Sequence, residues 1–287
     1  NADRTHESAA LIAFHYEAAG EAERAAMFAA HAARWLGPKN STEATQYWHK
    51  VRALMAQAPH SAENDTLRIE ASGQIAWVGW REGLTPEKAR PFVQEALHWA
   101  QNHDDSLTPL LLLVEGRIAQ VNGGPADAFV QQLRRAVGLA EARGDVGRVA
   151  TLQAALSHAY GWAGLLLDAL AASDRALANV DQVTDFDHQF LGYSVLHWVQ
   201  ALRGRILVRL GRFEAATACL DTIININGLI DPTVQFIAHR GYVDMAWCLD
   251  DAAMAAEHAA KVGQLADRHG SVYLKAYHLA STATALG

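Results

Sequence analysis

Fourteen histidines and two cysteines are spread along 287 residues. These residue types serve as metal ligands, general bases and nucleophiles, and spacing decides whether they do. No His-Glu-x-x-His occurs, and no two histidines stand four apart on one helix. Cys219 and Cys248 lie 29 residues apart with no Cys-x-x-Cys, which fits a reducing cytosol better than a zinc ribbon or a disulfide framework. Glu257 and His258 are adjacent, so on a helix they point to different faces. Asp185, Asp187 and His188 form one compact polar cluster. It reads either as a cation site or as a solvated linker in which Asp187 caps the following helix. The missing loop glycine and terminal glutamate of a calcium hand favour the linker. No G-x-x-x-x-G-K-[ST] and no G-x-S-x-G is present, and Gly123-Gly124-Pro125 follows no strand, so it breaks a helix and cradles no phosphate. The expectation is a chain with no catalytic residue, no cofactor and no metal.

The elements that would position any site are helices. Alanine makes up about a fifth of the chain and only 7 prolines occur, a composition that lowers the entropic cost of helix formation. Periodic apolar stripes predict about 13 or 14 helical segments, among them Glu21–Leu36 stopping at Gly37-Pro38, a helix capped by Ser41 or Thr42, and one long helix from His188 to Leu210. Strand signals are weak. The longest apolar run, Leu110–Val114, is far too short for the ~20 residues that span a bilayer. The N-terminus lacks the apolar stretch of a signal peptide. A net charge of −7 argues against direct contact with nucleic acid. Of the eight tryptophans, Trp77 and Trp80 are expected to pack between hairpins, and Trp35, Trp48 and Trp99 sit in apolar stripes.

The helix breaks recur. Gly124, Gly164, Gly211 and Asp250 are 40, 47 and 39 residues apart, a period that signals a repeat array of helix pairs. The stretches Ala163–Leu177 (AGLLLDALAASDRAL) and Leu210–Ile224 (LGRFEAATACLDTII) share a turn glycine, a bulky residue and then a small alanine, Ala169 or Ala216, that lets two helices approach closely. Both resemble the second helix of tetratricopeptide repeats. The resemblance implies an all-α, right-handed α-α superhelix of antiparallel helix pairs, read as one domain over 1–287. Asn1-Ala2 are read as a remnant of cloning, and the chain as excised from a longer one.

A second resemblance covers the first ~55 residues. His15–Leu36 (HYEAAGEAERAAMFAAHAARWL) followed by Ser41–Leu54 is similar to the segment after the ATPase module of large bacterial signalling proteins. These include class III adenylate/guanylate cyclases with helical repeats and maltose-regulator-type transcription activators. The implied function is a non-catalytic, cytoplasmic, regulatory module that binds a protein or peptide, other domains of its parent chain, or a small anionic ligand, without contact to nucleic acid or membrane. The alternatives are the sensor domain of a LuxR-type transcription regulator and a stand-alone enzyme of unknown type.

In tetratricopeptide-like arrays the first helix of each pair lines the concave face. Aligning the units on Gly164, Gly211 and Asp250 selects His158 and Trp162 in one unit and Trp198, Arg205 and Arg209 in the next. In the third it selects Arg240, Asp244 and Trp247. Together they would form a groove of aromatic faces and guanidinium groups suited to an acidic or aromatic peptide or a small anion. The competing reading makes the tryptophans core fillers and the arginines a solvated, carboxylate-paired face.

Overall fold

The computed structural model describes residues 2–37, 40–103, 105–226, 231–269 and 272–286. Asn1 of the expected cloning remnant and Pro38 of the expected helix stop lie outside them. Among the described residues there are fifteen α-helices, three single turns of 3-10 helix and no strand. No described helix is long and apolar enough to cross a membrane. The chain divides into two compact units, residues 1–125 and 126–287.

The first unit contains α1 (Ala2–Ala18), α2 (Ala22–Leu36), α3 (Ser41–Met55), α4 (Ala62–Gly79), α5 (Pro86–His103) and α6 (Thr108–Val121). Buried alanines at 26, 29, 30 and 33 bring the α2 backbone close to α3, and Trp48, Val51 and Met55 of α3 fill the space beside it. Asn40, and neither Ser41 nor Thr42, caps α3: its side chain accepts from the Glu43 N–H at 3.1 Å. Helix α4 is buried on nearly every side. Its buried charged residues are therefore paired inside the protein: Glu70 takes Arg34 of α2, and Arg68 donates to the Met55 carbonyl at 3.1 Å and to Asp65. Trp77 and Trp80 are buried and meet edge to face at 6.0 Å.

The second unit contains α7 (Ala126–Ala142), α8 (Val146–Trp162), α9 (Leu166–Leu177), α10 (Asp185–Leu191) and α11 (Val195–Arg209). It continues with α12 (Phe213–Ile224), α13 (Pro232–Leu249), α14 (Ala252–His269) and α15 (Val272–Leu286). The pairs are α8/α9, α11/α12 and α13/α14, and the first helices α8, α11, α13 and α15 pack side by side in that order. A first helix flanked on both sides loses its polar stripe, whereas a second helix keeps one: α9 buries only Ala169, Ala172, Ser173 and Ala176. Left-handed residues end the first helices at Gly164, Gly211 and Asp250, as the repeat spacing predicts. The corresponding break before residue 125 uses Gly123 (φ 84°) in place of Gly124.

One predicted helix is two. The segment His188–Leu210 breaks at Gly192 (φ 81°), and Ser194 caps a new helix by accepting from the His197 N–H at 3.4 Å. The short helix α10 this creates is the residue surplus that stretches the local repeat spacing to 47. It is tied down by Asp187, which neither caps the next helix nor faces solvent. Asp187 is 1% exposed and accepts from Arg148 Nε at 2.9 Å, Arg148 Nη2 at 2.8 Å and Thr151 Oγ1 at 2.7 Å. The cap of α10 is Thr184, and the His188 ring accepts from the Val195 N–H at 3.3 Å. Gly147 makes the docking possible, because a side-chain carbon there would overlap the Gln182 backbone carbonyl. No described group of three or more His, Cys, Asp or Glu residues is arranged to hold a metal.

Candidate functional site

All eight residues selected by the repeat alignment lie on first helices of the 126–287 unit. Their spacings on α11 (198, 205, 209) and α13 (240, 244, 247) keep each set on one helical face.

At the α8 end the contacts are aromatic. Trp162 Nε1–H donates to His158 Nε2 at 2.8 Å, so the single N–H proton of the accepting, neutral ring is assigned to Nδ1. The His158 ring meets Phe129, Trp162 and Trp198 edge to face at 6.5, 6.2 and 6.3 Å. Trp198 is only 5% exposed and leans on Tyr193 at 5.1 Å, so it packs the floor and offers little contact area. Trp162 and Trp247 are different: 49% and 62% exposed, each at the C-terminal end of its helix.

Between the two exposed tryptophans runs a polar ladder. Arg209 Nη1 donates to the Gly161 carbonyl at the end of α8 at 2.6 Å. Arg205 reaches from α11 to α13 and donates to Asp244 Oδ2 through Nη2 at 2.8 Å and Nε at 3.1 Å. Arg240 donates to the other oxygen, Oδ1, at 2.9 Å, and to Ser281 and Thr284 of α15 at 3.3 Å. Gly241 gives the room: a side-chain carbon there would press on Leu220 and on the Arg205 stem. Two guanidinium groups thus share one carboxylate and the third, that of Arg209, rests on a backbone carbonyl, so the ladder carries more positive than negative charge on a chain of net charge −7. Arg209 is exposed, and at the last turn of α11 it also favours the negative end of that helix.

The sequence reading missed Ser281 and Thr284, the α15 partners of Arg240. Their signal was the repeat period itself, since they follow Arg240 by 41 and 44 residues. It also missed a half-buried group between α12, α13 and α14. There His239 Nδ1 lies 3.0 Å from His258 Nδ1, Tyr242 stacks on His258 at 4.3 Å, and the Tyr242 hydroxyl donates to Asp221 at 2.5 Å. Burial, with His258 and Lys261 nearby, pushes His239 down to about 4. Burial also lowers His258, against the pull of Glu257, and raises the Tyr242 phenol beside Asp221. This group closes the α13/α14 pair and does not reach the ladder.

Helix pairs, their order and their glycine breaks define an all-α repeat protein of the tetratricopeptide-like class. No family model and no curated protein matches the chain in sequence. Among solved structures it is similar to a Rap protein complexed with competence and sporulation factor, at 11% identity and a TM-score of 0.60, over 91% of this chain and 72% of that one. It is also similar to PilF of Pseudomonas aeruginosa, at 13% identity and a TM-score of 0.44, over 96% of this chain and 98% of that one. At these identities the likeness concerns the fold alone.

Proposed function

We propose that this chain is a non-catalytic repeat module that binds a protein or peptide through the first-helix row of residues 126–287. The observation that carries the reading is the ladder: Arg205 and Arg240 on the single carboxylate of Asp244 and Arg209 on a backbone carbonyl, set between two half-exposed tryptophans. Guanidinium groups pair with carboxylates in a planar, two-pronged geometry, and exposed tryptophan rings supply large contact area at small entropic cost. The preferred partner is an acidic segment with an aromatic or large apolar residue. The Rap structure, complexed with competence and sporulation factor, supports the reading, since a protein of similar fold is seen there with a bound partner. The resemblance of His15–Leu36 to the entry of helical repeats behind bacterial ATPase modules supports a place, over all of 1–287, in the regulatory region of a cytoplasmic cyclase or ATPase. The coding sequence flanking this segment tests that assignment directly.

The binding reading is tested with an array of twelve-residue peptides, acidic-aromatic against their charge-reversed twins, followed by titration of the strongest. Arg209→Ala weakens the acidic peptide about tenfold, the size of a lost charged hydrogen bond, and Arg209→Glu abolishes it. Trp247→Ala weakens it by a similar factor. Both side chains are exposed, so the melting temperature moves by no more than a degree or two. A preference for basic peptides, or unchanged binding by Arg209→Glu, refutes the reading.

A further inference from the structure

In the 1–125 unit a cleft of about 410 Å³ opens between α3 and α5, over the C-terminal half of α4. Its volume lies within the range of small-molecule sites, roughly 300–1,000 Å³. Ile75, Leu84 and Phe92 give it an apolar floor. Gly79 lets Leu84 fold back over α4, since a side-chain carbon there would collide with it, and the Leu84 N–H donates to the Gly79 carbonyl at 2.9 Å. The turn after α4 therefore closes one end of the cleft, which suits a short occupant better than a through-running peptide. The Phe92 ring is held from two sides: His49 meets it edge to face at 5.6 Å, and the Arg52 guanidinium, paired with Glu95 at 2.8 Å, sits 5.4 Å from its centre.

Among the described lining residues the charged part of the rim has one sign. Thr45 and Gln46 of α3 supply a hydroxyl and an amide, and Lys88 of α5 supplies an ammonium. No Asp or Glu stands among the described lining residues, although the chain carries 31 acidic residues against 24 basic ones. A cationic occupant would find no counter-charge among those residues. A neutral one would leave the ammonium without a partner on the ligand. We propose that this cleft binds a small amphiphilic carboxylate, its aromatic or branched body against Ile75, Leu84 and Phe92 and its head at Lys88. This site is lined by α3, α4 and α5 of the 1–125 unit and shares no residue with the peptide site.

The experiment is calorimetric titration of the whole chain with 2-naphthoate, its neutral amide 2-naphthamide and the cation 2-naphthylmethylammonium. Naphthoate binds about fivefold tighter than the amide, the size of one exposed ion pair, and the ammonium binds weakest. Lys88→Gln removes the difference between acid and amide and leaves amide binding as it was. Gln46→Trp, at an exposed position that accepts a large ring without disturbing the core, fills the cleft and abolishes binding of both. Arg209→Ala, in the other unit, leaves all three titrations unchanged. Equal affinity for acid and amide in the wild type, binding that survives Gln46→Trp, or no binding of naphthoate at millimolar concentration each overturns the proposal.

Discussion

Asp187→Ala lowers the stability of the second unit by about 3–5 kcal/mol, the cost of stranding one member of a buried ion pair. Asp187 is almost fully enclosed, and Arg148 and Thr151 are aimed at it from α8. Removing the carboxylate leaves the guanidinium buried without its counter-charge, while the strap formed by α10 loses its anchor. In a unit of this size the loss corresponds to a melting temperature lower by roughly 10 °C. Asp187→Asn keeps an acceptor for Thr151 and loses less. The double replacement Arg148→Met with Asp187→Leu recovers most of the loss, because apolar groups of similar volume need no counter-charge. Little salt dependence is expected, since the pair is shielded from mobile ions. Urea unfolding monitored by circular dichroism measures all three variants. A loss below about 1 kcal/mol for the alanine variant, the size of an exposed pair, would show that α10 is held by its apolar contacts alone.

Acid weakens the α13/α14 pair well before general acid unfolding. In the unfolded chain His239 titrates at its ordinary 6.5, and in the fold at about 4. Above pH 6.5 both states hold a neutral ring and pH has no purchase. Between 6.5 and 4 the unfolded chain takes up a proton that the folded chain refuses, so stability falls as pH falls. The full difference corresponds to about 3 kcal/mol at pH 4, reduced by whatever water reaches the ring. The groups that face His239 set the sign: His258 and Lys261 of α14 oppose its proton, and the Asp221 carboxylate is occupied by the Tyr242 hydroxyl. His239→Phe flattens the pH dependence across this window, whereas His158→Phe leaves it in place. Unfolding curves at half-unit intervals from pH 7 to 4 decide the matter. A slope unchanged by His239→Phe rules the mechanism out.

Much of this architecture was readable from local signals. Gly164, Gly211 and Asp250 announced helix ends because a left-handed backbone is costly for most side chains, and glycine or aspartate tolerates it. The break at Gly192 was missed because it interrupts an apolar run, Phe190-Leu191-Gly192-Tyr193-Ser194-Val195, that keeps helical spacing on either side. Gly192 followed two residues later by a serine was the available clue. The shared faces of Arg205 with Arg209 and of Arg240 with Asp244 followed from helical period alone. What Arg205 touches did not. Its partner is 39 residues away, and which carboxylate it meets depends on how α11 and α13 slide past one another, a register fixed by Gly241 and Leu220. The roles of Trp162 and Trp198 were likewise unreadable, since residue type is the same and only the neighbouring helix decides which ring is covered.

Asp244 changes how stress passes along the second unit. In most stacked repeats each interface stores its own energy, and neighbours can separate singly. Here a single carboxylate is gripped from α11 by Arg205 and from its own helix by Arg240, whose remaining donors hold α15. Pulling α15 away frees Arg240 to swing, and that swing removes half of what keeps Asp244 aimed at α11. Three helices therefore share one tether. Their backbone amides are bound to open to hydrogen exchange together, as a block, and a partner docked anywhere along that row stiffens its far end as well.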